Sequence, residues 1–237
     1  MTNDHFINIY RNAGGTYHEL IQVEDTDQNL LPALQLICSF DHKQILDLAT
    51  GTGRIPLLLP QHSITALDLH SSMLEENHKQ KIAANGNWTI TQGDMRYLPF
   101  PSSQFDIVTI GWGLGHFLSW YSSNWKEQIH LVLEQVNRVL TLKGSIIILE
   151  TLTTGSLIPA PPSTALASYY HWLETELHFQ RIQVQTDYQF NSLEDAIHYS
   201  QFFFGEDLAH KIRLNQWTRL PEWTGIWYKH KTGGKSV

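Results

Sequence analysis

The sequence has a single cysteine, few basic residues and no long apolar run. With Cys38 alone, an intrachain disulfide and a thiolate metal site are both excluded. No segment approaches the roughly 18 consecutive apolar residues of a membrane-spanning helix, and the polar N-terminus is unlike a signal peptide. These absences predict a cytoplasmic protein that has no membrane partner.

The balance of charges indicates which kinds of molecule the chain is not expected to bind. Lys and Arg total 16 against 23 Asp and Glu, which gives a formal net charge of −7. A chain without a basic stripe is not expected to bind nucleic acid. Thirteen histidines are present, and Glu174 and His178 have a ligand-like spacing of i and i+4. Two ligands on one exposed helix do not make a metal site, so no metal is predicted.

The sequence alternates short apolar strands with helices, and its length of 237 residues suits one α/β domain. A capping box is predicted at Ser72 and Glu75, and a helix cap at Ser192. Strands are predicted at about 44–49, 63–68, 88–92, 105–110, 145–150, 179–190 and 223–228. Helices are predicted at about 27–40, 72–84, 124–140 and 163–177, with a further one after Ser192.

The most informative stretch runs from Ile45 to Arg54. It predicts a buried strand that ends in a carboxylate, a tight glycine turn and then a helix, which is how an α/β sheet binds a nucleotide at its carboxyl edge. Asp47 would repel a pyrophosphate at the turn, whereas it would favour a ligand that places an ammonium or sulfonium there. A nicotinamide-dependent oxidoreductase is therefore disfavoured.

The same stretch resembles the first motif of class I S-adenosylmethionine-dependent methyltransferases. Ala49 stands where that family has its first glycine. The resemblance implies a Rossmann-like, seven-stranded mixed sheet with an antiparallel last strand and helices on both faces. It also implies S-adenosyl-L-methionine as cofactor, bound here by Asp47, Ala49, Thr50, Gly51 and Gly53.

Later segments extend the resemblance along the chain. Asp68 ends the second strand, 17 residues after Gly51, where the family's acid binds both ribose hydroxyls. The segment from Gly93 to Phe100 resembles the family's G-D-x-x-x-L-P-F segment, whose acid accepts a hydrogen bond from the adenine amino group. The cofactor residues that follow from these segments are Asp68, Leu69, Met73, Gly93, Asp94 and Met95.

The end of the fourth strand and the N-terminus complete the predicted site. Gly111 and Trp112 are expected beside the methionine part of the cofactor. His116 is the candidate general base, because an imidazole titrates near neutral pH; the alternative is a histidine that shapes the pocket. Tyr10 and Tyr17 resemble the family's tyrosine-rich N-terminal lid, although a plain packed helix remains open.

The resulting interpretation is a single methyltransferase domain over residues 1–237. Residues 1–40 would form a helical lid, 41–151 the cofactor-binding core, and 152–237 the remainder of the sheet with substrate-side helices. Direct methyl transfer to a small, apolar or aromatic acceptor is predicted, and a non-catalytic cofactor-binding subunit is the alternative. Three aromatic segments are expected around the acceptor: Trp120, Tyr121 and Trp125; Tyr169, Tyr170 and Trp172; Phe202, Phe203 and Phe204.

Overall fold

The structure, a computed structural model, describes residues 3–232. The single domain predicted over residues 1–237 includes residues 1–2 and 233–237, which lie outside that range. Ten helices and nine strands occur within it, in addition to a 3₁₀ turn at Leu114–His116. The strands are β1 Gln44–Leu48, β2 Ser63–Asp68, β3 Thr89–Gln92, β4 Phe105–Gly111, β5 Leu140–Thr154, β6 Gln180–Gln185, β7 Tyr188–Gln189, β8 Arg219–Leu220 and β9 Glu222–His230. The helices are α1 Asn3–Asn12, α2 Gly14–Ile21, α3 Leu30–Ile37, α4 Arg54–Leu58, α5 Ser71–Ala83, α6 Phe117–Trp120, α7 Trp125–Val139, α8 Thr164–Thr175, α9 Leu193–Phe204 and α10 Glu206–Asn215.

Seven of these strands form one mixed sheet in the order β3-β2-β1-β4-β5-β9-β6. Neighbours from β3 to β5 are parallel, and β9 runs antiparallel to both β5 and β6. The predicted seven-stranded sheet with an antiparallel last strand is therefore confirmed. Strand order reverses between β1 and β4, which is where open α/β sheets form a ligand crevice.

Alternate side chains of the central strands serve two separate cores, because successive residues of a strand point to opposite faces. On β5, Ile146 and Ile148 pack with α7 and α8, whereas Ile147 and Leu149 pack on the opposite face with Leu34 of α3. Burial on both faces explains why β5 is a continuous apolar run in the sequence.

The predicted strand 179–190 is wrong as a single element. It divides into β6, in the main sheet, and β7, which pairs with β8 as a separate two-stranded sheet. Asp187 lies at the division, where its carboxylate accepts hydrogen bonds from Gln185 Nε2, the Glu222 amide and Arg219 Nε at 2.8–3.0 Å. These contacts hold a turn that alternating hydrophobicity alone does not reveal.

The predicted capping box at Ser72 is also wrong. Helix α5 begins at Ser71 with His70 as its N-cap and has no side-chain cap. Ser72 Oγ instead accepts the Gly14 amide at 3.2 Å, so this serine connects α2 to α5. The cap at Ser192 is confirmed, because its hydroxyl accepts the Asp195 amide at 3.0 Å. Predicted strand 145–150 is longer than expected, since its ends gain partners from β4 and β9.

Candidate functional site

A cleft of about 780 Å³ opens at the carboxyl edge of the parallel strands, and we call it the edge cleft. Its walls come from the ends of β1, β2 and β4, from the segment after β3 and from α1 and α2. Predicted site residues that line it are Tyr10, Tyr17, Ala49, Gly51, Asp68, Leu69, Met73, Gly93, Asp94, Met95, Gly111, Trp112 and His116. The topology thus brings together residues that are up to about a hundred positions apart in sequence.

The glycine loop after β1 is fixed by the acid at the end of β2. Asp68 Oδ2 accepts the Gly51 amide at 2.8 Å, and Oδ1 accepts the His70 amide at 2.9 Å. Burial raises the pKa of Asp68, although these amide hydrogen bonds oppose that shift. Gly51 and Gly53 adopt positive φ of 54° and 99°, the left-handed region that glycine enters without strain. The carboxylate therefore shapes the loop and also faces the cleft.

A second support lies behind the loop. Asn77 Nδ2 donates to the Gly51 carbonyl at 3.2 Å, while Asn77 Oδ1 accepts from Trp88 Nε1 at 2.8 Å. Asn77 and Trp88 are both fully buried. The loop is thus joined to the α5 and β3 side of the sheet by a buried hydrogen-bond chain.

Asp47 does not line the edge cleft. Its side chain is 1% exposed, and Oδ1 accepts from Thr109 Oγ1 of β4 at 2.6 Å. Burial raises the pKa of Asp47 to about 7, against the opposing hydrogen bond from Thr109. Thr50 and Gly53 also lie outside the lining of the cleft.

Asp94 forms an ion pair with a neighbour that the sequence analysis did not single out. Arg96 Nη2 lies 2.6 Å from Asp94 Oδ2, and the Arg96 amide donates to Oδ1 at 2.9 Å. The pKa of Asp94 is lowered: burial acts to raise it, but the hydrogen bonds and charge of Arg96 outweigh burial. Arg96 also lines the cleft, with its guanidinium 5.1 Å from the ring of Tyr121. This end of the cleft combines a fixed carboxylate with apolar side chains.

Three glycines lie at or just after the end of β4, and each has different surroundings. A Cβ on Gly113 would lie 2.7 Å from Cβ of Ala49, so the β1 and β4 loops touch there. A Cβ on Gly115 would lie 3.0 Å from Oε2 of Glu150. A Cβ on Gly111 would meet nothing within 4 Å, which leaves open space beside the strand end. Trp112 between them has a φ of 49°, an unusual value for a bulky residue.

Helices α1 and α2 cover one side of the cleft. The Tyr10 hydroxyl and His116 Nε2 are 2.8 Å apart, and the Tyr10 ring lies edge-on to both Tyr17 and His116. Gly14 permits the approach of α2 to α5, because a Cβ there would lie 2.5 Å from the Ser72 carbonyl oxygen. Helix α3, included in the predicted lid region, packs in the core beneath the sheet instead.

His116 is half-buried, and its ring stacks on Trp120 with centroids 5.0 Å apart. Burial lowers the pKa of His116 to about 4. The imidazole is therefore neutral at pH 7, but it is a weak proton acceptor.

A second, larger cavity of about 1290 Å³ adjoins the first, and we call it the aromatic cavity. It shares Tyr10, Tyr17, Trp112 and His116 with the edge cleft. Its other walls are the β5 end, the start of α8 and the end of α9. Its lining includes Phe6, Glu24, Arg54, Glu150, Tyr170, Phe203 and Phe204.

Two kinds of polar group enter this mostly apolar cavity. Glu24 Oε2 pairs with Arg54 Nη1 at 2.7 Å, and the Arg54 guanidinium lies 3.8 Å from the centroid of the Trp112 ring. Glu150 has no such cationic partner among residues 3–232. Its Oε1 accepts the Gly115 amide at 2.8 Å, and burial raises its pKa to about 8.

Most residues that line the edge cleft lie in a segment that matches a known protein family. Residues 45–144 match the family model described as "Methyltransferase domain". Over these residues the chain has the sequence of a class I S-adenosylmethionine-dependent methyltransferase domain. S-adenosylmethionine is the methyl donor of that family. The matched region includes the glycine loop, Asp68, Asp94 and His116.

Curated relatives match the methyltransferase domain over part of their length. A demethylmenaquinone methyltransferase of Thermotoga maritima is 35% identical over 135 residues, which cover 55% of this chain and 50% of the relative. An enzyme of the same name from Thermus thermophilus is 31% identical over 144 residues, covering 59% and 56%. The chain thus spans about half the length of these relatives.

Solved structures share the fold at low sequence identity. The YcgJ protein of Bacillus subtilis superposes with a TM-score of 0.55 at 15% identity, covering 86% of this chain and 98% of that one. Phosphoethanolamine N-methyltransferase 1 of Haemonchus contortus, in complex with phosphoethanolamine and S-adenosylhomocysteine, gives 0.54 at 19%, covering 99% and 50%. These similarities establish the architecture of the methyltransferase domain.

The aromatic segments predicted around an acceptor are divided by the structure. Tyr170, Phe203 and Phe204 line the aromatic cavity, whereas Trp120 and Tyr121 line the edge cleft. The remaining members are elsewhere: Tyr169 and Trp172 lie in the core, Trp125 packs against it, and Phe202 lines neither space.

Other residues of the site escaped sequence reasoning. Arg96, Asn77, Arg54 and Glu150 belong to no predicted role. The partners of Asn77, Arg54 and Glu150 are distant in sequence. Arg96 pairs with Asp94 only two residues away. The one usable signal was Gly115, whose missing side chain leaves room for a neighbour.

Within residues 3–232, no three or more His, Cys, Asp or Glu side chains are grouped so as to hold a metal ion. In that same range no helix is long and apolar enough to cross a membrane.

Proposed function

We propose that this chain transfers a methyl group from S-adenosylmethionine to a small-molecule acceptor by direct displacement. The observation that carries the proposal is the junction of two cavities. The edge cleft, built from the strand-end acids and glycine loop, meets the aromatic cavity at Tyr10, Tyr17, Trp112 and His116. A donor and an acceptor held on either side of this junction would be aligned and shielded from bulk water.

The residues of the edge cleft provide the polar and apolar groups that S-adenosylmethionine would need for binding. Asp68 would accept hydrogen bonds from the ribose hydroxyls, and Asp94 would accept one from the adenine amino group. Met95 and Leu69 would cover the adenine with apolar surface. Gly51 and Gly111 leave backbone accessible beside the methionine part. When bound, the cofactor supplies an electrophilic methyl group on a sulfonium sulfur.

The buried Asp47 would act on this donor at longer range. Its carboxylate lies directly behind the loop and is held by Thr109. A negative charge there would favour a cationic ligand in front of the loop over an anionic one. Helices α1 and α2 would form the lid of the bound donor, which restricts the predicted lid to residues 3–21.

The aromatic cavity favours a flat, apolar acceptor. Phe6, Tyr170, Phe203 and Phe204 provide ring surface, and burial of an apolar ring contributes about 25 cal/mol per Å². The curated relatives are named for demethylmenaquinone, so a quinol ring belongs among the acceptors to be tried. The acidic chain would repel a polyanionic acceptor.

Calorimetry with S-adenosylhomocysteine and with NAD tests the donor site. We expect binding of S-adenosylhomocysteine and none of NAD; the reverse result would overturn the proposal. Transfer of labelled methyl from S-adenosylmethionine to phenols, naphthols, a naphthoquinol and aromatic amines tests turnover. Label that appears in added RNA or protein in preference to every small molecule would contradict the acceptor class.

A further inference from the structure

Glu150 is a buried carboxyl in the wall of the aromatic cavity. Its exposure is 5%, and it lies on β5 opposite Gly225 of β9. Gly115 allows its approach, since a side chain at residue 115 would crowd Oε2. The Gly115 amide then fixes Oε1 at 2.8 Å, so the carboxyl has one defined position.

The surroundings of Glu150 contain hydroxyls rather than cations. Tyr169 and Tyr170 on α8 and Tyr10 on α1 are the titratable groups that interact with it. In the described part of the chain no ion pair involves this carboxyl, and the cavity's Arg54 is already paired with Glu24. Burial without a cation raises the pKa of Glu150 to about 8.

The other candidate base is less suited to accept a proton. His116 has a pKa of about 4 because of burial, and its Nε2 is engaged with the Tyr10 hydroxyl at 2.8 Å. An effective base has a pKa close to the working pH, and it must face the reacting group. Glu150 meets both conditions in the cavity assigned to the acceptor.

We propose that Glu150 is the proton acceptor for a phenolic hydroxyl on the methyl acceptor. This inference rests on the proposed methyl transfer. The phenolic oxygen forms its bond to the methyl carbon, and the carbon–sulfur bond breaks with its electron pair remaining on sulfur. The hydroxyl proton passes to the Glu150 carboxylate, which becomes a neutral carboxyl and later releases that proton to solvent.

Both the shape of the aromatic cavity and the Glu150 carboxyl favour a phenol as the methyl acceptor. The rings of Tyr170, Phe203 and Phe204 suit a flat aromatic body, and a carboxylate suits the weakly acidic hydrogen of a phenol. A phenolate arriving already ionised would need no base and would be repelled by an ionised Glu150. The role of Glu150 should therefore depend on the acidity of the acceptor.

The test compares Glu150→Gln with the wild type on two probes, 2-naphthol and the more acidic 4-nitrophenol. Glutamine keeps an oxygen that accepts the Gly115 amide, so the loop is retained while the base is lost. Turnover of 2-naphthol at pH 7.5 should fall by about 10²–10³-fold. Turnover of 4-nitrophenol, which is largely ionised there, should fall by less than about 10-fold. Equal losses on both probes would assign Glu150 to positioning and overturn the proposal.

A binding measurement gives a readout that does not need turnover. In the complex with S-adenosylhomocysteine, calorimetry should show wild-type affinity for 4-nitrophenol falling by about 10-fold or more between pH 7 and 9, because carboxylate and phenolate then repel. Glu150→Gln should lose less than about 3-fold. An identical pH dependence in both proteins would contradict the proposal. If the glutamine protein does not fold, Glu150→Met, which also lacks a carboxyl, serves as the second variant with the same criterion.

The controls separate the two proposals. Glu134→Gln removes an exposed carboxyl on α7 and should behave as the wild type in every assay. A wild type that binds S-adenosylhomocysteine, yet neither binds nor methylates either phenol, overturns the phenolic acceptor and leaves methyl transfer in place. A wild type that does not bind S-adenosylhomocysteine overturns the proposed function itself.

Discussion

The burial of Glu150 makes a prediction about stability that requires no substrate. In the unfolded chain its pKa is near the ordinary 4.5, and in the folded protein burial raises it to about 8. Between these values the folded state holds a proton that the unfolded state has released. The stability associated with the neutral carboxyl is therefore complete below pH 4.5 and is lost progressively as the pH rises to about 8.

Glu150→Gln removes this dependence, because glutamine resembles the neutral carboxyl and does not titrate. At about 1.36 kcal/mol for each tenfold change in proton affinity, the wild type should lose about 3 kcal/mol relative to the variant between pH 5 and 8. This value is an upper figure, since water entering the cavity would relieve part of the burial. We expect the variant to be the more stable protein at pH 8 and the two to be nearly equal at pH 5.

Urea unfolding followed by tryptophan fluorescence at pH 5, 6, 7 and 8 measures the difference directly. Glu134→Gln, an exposed carboxyl, is the matched control and should show no such trend. A difference between wild type and Glu150→Gln that stays constant across this range would refute the reasoning, because it would show that Glu150 titrates alike in both states.

Three further outcomes test the edge cleft. Asp68→Ala should weaken binding of S-adenosylhomocysteine by roughly 1–3 kcal/mol in calorimetry, since charge-assisted hydrogen bonds are lost; unchanged affinity would remove Asp68 from the site. Gly113→Ala should lower affinity and stability because its Cβ would lie 2.7 Å from Ala49, and Ala49→Gly should restore much of the loss in a double-mutant cycle; purely additive effects would contradict the contact. Asn77→Ala should reduce the free energy of unfolding by about 2–3 kcal/mol, because the buried Trp88 N–H loses its acceptor; a loss below about 0.5 kcal/mol would be inconsistent with that chain of hydrogen bonds.

The similarity to demethylmenaquinone methyltransferases concerns about half the length of those relatives. The match to the family model ends at residue 144. Glu150, Tyr170 and Phe203 all lie beyond that residue. The acceptor is therefore argued from this chain's own cavity.

Local sequence determined the elements that depend on short-range patterns. The apolar runs of β1, β4 and β5, the Gly51–Gly53 turn and the acids at the ends of β1 and β2 are readable because strand burial and turn geometry depend on neighbouring residues. The sheet topology with its antiparallel last strand was predicted from the family resemblance that these motifs carry, and the structure confirms it.

Only the tertiary structure decided which side chains line a cavity and which are buried behind it. Asp47 has the expected position in its strand, but contact with Thr109 of β4 places its carboxylate behind the loop. Ser72 has the sequence of a helix cap and instead holds Gly14. Glu150 acquires its proton affinity only when distant segments bury it without a cation. Burial and partner choice are sums over long-range contacts, so they become defined only when the whole chain is folded.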